Sequence, residues 1–291
     1  MSDEKAARLA AIRAAKAAGQ ASAPPAPAAD QPPTQTPPRA PVRASAQADD
    51  ELERLESLPA MPFHTLVAIF IAVGVGVFAA VVALPTWLPG LSASLLGTEP
   101  KAYWYLSRSS AFVAYALVWL SMVFGLLMTS RMSRAWPGGP AAFDLHQHAS
   151  LLGLAFALFH GLILMGDRYI QADLRQILVP FAYSGYNPTW VGLGQVGIYL
   201  TAIVGLSFYV KGQIGRTAWR AIHFMSFAMF ALALVHGVWS GSDSELTWIQ
   251  GVYWFTGGSV VFLTVYRILA TMFSRRQRPA RAESPKLQAA E

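Results

Sequence analysis

Six stretches of roughly 20 apolar residues, each long enough to cross a hydrocarbon core of about 30 Å, constrain this chain more than any other feature. They cover about residues 63–84, 104–128, 142–165, 191–210, 222–239 and 249–273. Backbone inside lipid must satisfy its own polar groups, so spans of this kind are helices. The expected fold is an all-α integral membrane protein, a six-transmembrane-helix bundle. Composition agrees: 54% of residues are hydrophobic, only 13% are charged, and mean hydropathy is +0.38, too apolar for an ordinary soluble domain. Prolines at 85, 89, 137, 140 and 188 supply turns between spans. Residues 167–188 form a longer, partly apolar connection suited to a short interfacial helix.

Three regions follow. Residues 1–58 are rich in Ala and Pro and lack the aliphatic residues a core requires, so a disordered arm is expected, with short helices over 5–18 and 49–57. Residues 59–273 hold the six spans, and 274–291 form a basic tail. The arm has no apolar stretch near residues 5–25 that a secretory signal would need.

Basic residues are retained on the cytoplasmic face of a membrane. Arg131 and Arg134 follow the second span; Lys211, Arg216 and Arg220 separate the fourth and fifth; Arg275, Arg276, Arg278, Arg281 and Lys286 follow the sixth. The opposite loops hold Lys101, Arg168 and Arg175, with Arg108 just inside the second span. The expected location is the bacterial cytoplasmic membrane with both termini cytoplasmic. This distribution also accounts for the net charge of +6 without a nucleic-acid partner.

Ligand-capable side chains inside membrane helices are costly and require a partner or a purpose. Of six histidines, His146, His148 and His160 fall on the third span, and His223 and His236 on the fifth. His146 and His160 are separated by roughly 21 Å of helix rise, and His223 and His236 by roughly 19.5 Å. Both helices start on the same side, which aligns His146 with His223 and His160 with His236 at two depths. Neutral imidazole is a good axial ligand for haem iron, and two facing helices can hold a porphyrin in the bundle core. The four histidines are therefore candidate axial ligands for two b-type haems. With no cysteine in the chain, the haem must be non-covalent. His146 and His160 lie about 40° apart around an ideal helix, but His148 and His160 about 120°, which favours His146 over His148. The fifth span fits less well, since an ideal helix sets His223 and His236 about 140° apart. His64 is read as an ordinary boundary residue.

Several of these stretches resemble one family. Leu145-His146-Gln147-His148, Phe159-His160, Trp219-Arg220-Ala221-Ile222-His223, Val235-His236-Gly237 and Gly241-Ser242-Asp243-Ser244 are similar to the ferric reductase-like transmembrane domain. Ser107-Arg108-Ser109-Ser110 and Val191-Gly192-Leu193-Gly194 fit it too, and the resemblance covers about residues 100–272. It implies b-type haem between the third and fifth helices and electron transfer to an outer acceptor: ferric chelate, oxygen or a periplasmic protein. The flavin and nicotinamide domains of full-length ferric reductases have no counterpart among the residues after the last span, so the resemblance implies a separate flavoprotein or quinone donor.

Haem propionates favour arginines at bundle ends. Arg108 and Arg220 are the candidates, although both positions also suit snorkelling to lipid headgroups. Two other functions share parts of this pattern: a quinone-linked respiratory cytochrome b, and a haem-free transporter or scaffold whose histidines line a path.

Overall fold

The computed structural model describes residues 60–96, 101–130 and 132–276, together with Arg54 and Leu58. The expected helices in the arm, Arg131 and the tail from 277 onward lie outside the described residues, apart from Arg54. Helices build the described chain with no strand, and six are long and apolar enough to cross a membrane: Phe63–Trp87, Ala102–Thr129, Gly139–Gly166, Pro188–Ile214, Arg216–Ser240 and Thr247–Phe273. These are called spans one to six. The helix of span six continues to Arg276, three residues into the expected tail.

Span one is irregular for a local reason. Pro85 lacks an N–H and its ring crowds the carbonyl four residues earlier, and the helix widens to a π-turn over Ala79–Ala83 just before it. The Tyr103 hydroxyl donates to the Ala80 carbonyl inside this turn at 2.7 Å, which ties span one to the start of span two.

Spans two and three run antiparallel and pack along their length. Ser107, Ser110, Ala114, Val118 and Ser121 are buried on span two at intervals of three and four, a stripe of mostly small side chains that lets the two backbones approach. Gly153 of span three meets this stripe: a Cβ there would lie 3.3 Å from Val118 Cγ2. Beyond it, Val118, Met122 and Leu126 of span two form a buried cluster with Met229 and Phe230 of span five and Val260 and Leu263 of span six.

Span five is not one ideal helix. Its helix Arg216–Phe224 ends at Met225 and a second, Ser226–Ser240, begins directly after. At Met225 the backbone N–H bonds the Ile222 carbonyl, and ψ is −9°, so the turn is locally tighter than an α-helix.

The connection between spans three and four contains the expected short helix, Leu174–Leu178. Asp173 caps it by accepting from the Gln176 N–H at 2.7 Å, while the Gln176 side chain accepts from the Asp173 N–H at 3.0 Å. Buried Gln195 of span four fixes the loop, accepting from the Phe181 N–H and donating to the carbonyls of Gln176 and Ile177. Gly192 leaves room for the Phe181 ring, which a Cβ would overlap.

A candidate site of paired histidines

The fold brings the four singled-out histidines together in two pairs, one towards each end of the bundle. His146 faces His223 with ring centroids 6.0 Å apart, and His160 faces His236 at 6.2 Å. The break at Met225 falls between His223 and His236, so the ideal-helix offset of about 140° does not apply to them. His148 is exposed and bonds the Asp144 carbonyl of its own helix at 2.7 Å. His64 is exposed as well.

Each ring is oriented by its surroundings, and for three of them the tautomer follows. His146 Nδ1 lies 2.8 Å from the Ser121 carbonyl, His160 Nδ1 2.8 Å from the Ser107 carbonyl, and His236 Nδ1 2.9 Å from the Trp190 carbonyl. A carbonyl oxygen can only accept, so Nδ1 carries the proton in each neutral ring. Nε2 keeps its lone pair. That is the arrangement in which a backbone acceptor fixes a metal-ligating imidazole. His223 is supported differently, by Trp219 stacked on it at 5.2 Å and 28°.

Span two supplies both serines. The fourteen-residue interval from Ser107 to Ser121 repeats that from His146 to His160, so each serine meets one histidine of the antiparallel neighbour. At His160 the clasp is reciprocal, whereas at His146 the return bond comes from the same helix. Ser107 donates its hydroxyl to the His160 carbonyl at 2.8 Å. Ser150 donates to the His146 carbonyl at 2.7 Å, which leaves Ser121 to donate to the Ser150 oxygen at 2.6 Å.

Two glycines sit against the pairs. A Cβ on Gly125 of span two would lie 3.4 Å from His146 Cε1, an ordinary contact, whereas a Cβ on Gly194 of span four would lie 2.7 Å from His236 Cγ and 2.8 Å from Cε1. Gly194 is thus what lets His236 reach the Trp190 carbonyl. Trp190 in turn stacks on Trp239 at 4.9 Å, and Asn187 donates to the Trp239 carbonyl at 2.9 Å, clamping the start of span four to the end of span five.

The His146 pair opens on a cavity of about 310 Å³ lined by spans two to six, a size typical of small-molecule sites. Arg220 and Arg267 both line it. Arg267 was missed at the sequence level, although an arginine within the sixth apolar stretch is itself a signal. Arg108, at the His160 end, is engaged within the protein: its Nε lies 2.5 Å from Asp243 Oδ2, and its guanidinium covers the Trp104 ring at 4.9 Å. The segment that carries Asp243 is itself fixed, with Ser244 donating to the Gly237 carbonyl at 2.8 Å.

The fold and its apolar surface define the class, a multi-pass helical membrane protein. Comparison with protein-family models, with curated proteins and with solved structures finds no match for this chain.

Proposed function

We propose that this protein is a membrane electron carrier that holds two b-type haems without covalent attachment, one between His146 and His223 and one between His160 and His236. The observation that carries this reading is the repeated pair geometry, with Nε2 lone pairs left free on His146, His160 and His236. An imidazole nitrogen about 2.0 Å from a metal puts the ring centre roughly 3 Å away, so two imidazoles on one metal have centres roughly 6 Å apart. The separations of 6.0 and 6.2 Å fit one iron in each gap. Two protein nitrogens per gap also suit an iron whose other ligands come from a porphyrin. The similarity of the stretches around His146, His160, His223 and His236 to the ferric reductase-like transmembrane domain supports the same reading.

When bound, haem supplies one-electron redox chemistry. The protein holds the ligands at two depths: Ser107, Ser121 and Trp190 fix the proton on Nδ1, and the buried stripe on span two fixes the distance between the levels. The acceptor class is an outer one, ferric chelate, oxygen or a periplasmic protein, and the donor a flavoprotein or quinone at the inner face. The basic residues near the His146 end support a cytoplasmic location for it. A reporter fused after Arg276 should be active in the cytoplasm; activity restricted to the periplasm would reverse the direction proposed.

The test of the function is a reduced-minus-oxidised spectrum of the purified protein expressed with ample haem. A b-type spectrum that an outer acceptor reoxidises in sealed vesicles is expected. Folded protein without a Soret band would leave the histidines to a haem-free transporter or scaffold.

A further inference from the structure

The His146 end holds donors that the fold itself does not use. Trp219 is only 8% exposed and lines the cavity, and its Nε1 is buried without a partner. Gln147 lines the same cavity. Its Oε1 accepts from the Met61 N–H, and its Nε2 is likewise buried without a partner. Arg220 and Arg267 add two guanidinium groups to the same lining, and none of the residues lining the cavity is acidic. The two buried N–H groups are costly unless an acceptor meets them, and two arginines on one cavity, Arg267 half-buried and Arg220 exposed, favour an anion as that acceptor. Four donors from spans three, five and six converging on one cavity describe a site for a carboxylate-bearing ligand with an apolar body.

Resting on the two-haem reading, we propose that this donor set receives the propionate carboxylates of the inner haem, with Arg220 and Arg267 balancing their charge and Trp219 and Gln147 donating to their oxygens. The His160 end is different, because Arg108 is already balanced by Asp243. These four residues hold one haem and not the other.

The experiment is a redox titration of the purified full-length protein and of Arg220→Gln, Arg267→Gln, Arg267→Lys and Trp219→Phe, with haem counted in each. Removing a nearby cation favours the more positive oxidised iron, so in both Gln variants one midpoint potential should fall, or that haem alone should be lost, while the other stays unchanged. Arg267→Lys should restore much of the wild-type value. Trp219→Phe keeps an aromatic ring beside His223 and removes only the N–H, so a smaller shift in the same haem is expected. Variants that retain two haems with both potentials unchanged would overturn the proposal. So would unchanged potentials combined with loss of a wild-type spectral response to inorganic phosphate, which would give the donors to a soluble anion. A wild-type protein with no haem would instead refute the two-haem reading itself.

Discussion

The two ends of the bundle carry the same pair of side chains in nearly the same geometry, and they differ in almost everything around it. At the His160 end, His236 is pressed against span four where Gly194 leaves no spare room, and the nearby arginine is neutralised by Asp243. At the His146 end the contact with Gly125 is an ordinary one, Trp219 stacks on His223, and a cavity with two arginines opens beside the pair. Side-chain identity and spacing therefore do not distinguish the two ends. Packing tightness and local charge do, and under the proposed two-haem reading they would give the two haems different stabilities and potentials.

The two ends should differ most in their response to substitution of the neighbouring glycines. Gly194→Ala should cost about 1–3 kcal/mol through overpacking and displace His236, so the protein should keep only the haem of the His146 pair. Gly125→Ala should retain both. Equal haem loss in the two variants would show that the ends are equally tight. A smaller effect is expected from Ser107→Ala, which removes the hydroxyl that clasps the His160 carbonyl and lies 2.8 Å from His160 Nδ1, but leaves the backbone carbonyl that accepts from Nδ1. One hydrogen bond is worth about 0.5–1.5 kcal/mol net, so thermal stability should fall modestly with both haems bound. Loss of the outer haem would mean that the hydroxyl, not the carbonyl, orients the ring. The smallest effect belongs to His148→Ala, since the ring is exposed and bonds only its own helix among the contacts described. Stability should change by less than about 0.5 kcal/mol, and a missing inner haem would mark His148 as the true ligand in place of His146.

The six spans and the pairing of the histidines were legible in the sequence because both depend on counting along one helix. Apolar length gives the span, and rise per residue gives the depth. What counting along one helix cannot reach is any feature that depends on a neighbour or on a departure from ideality. The tight turn at Met225 carries no proline or glycine to announce it, and it separates the two histidines whose ideal azimuths disagreed. The pairing of Arg108 with Asp243 joins span two to the loop after span five, residues 135 apart in the chain. The serine clasps were closer to view. Two serines on span two at the same interval as two histidines on span three form a matched ladder for antiparallel helices, and that pattern is readable once the spacing is sought. Arg267 could also have been found, as a charge inside an apolar stretch.

Whether each histidine pair holds one haem is settled by counting haem per chain with pyridine haemochrome in the wild type, in His223→Ala and in His236→Ala. Two, one and one are expected, with the double variant His223→Ala/His236→Ala binding none. A wild-type count of one or none in folded protein, or two haems persisting in either single variant, would refute one haem per pair.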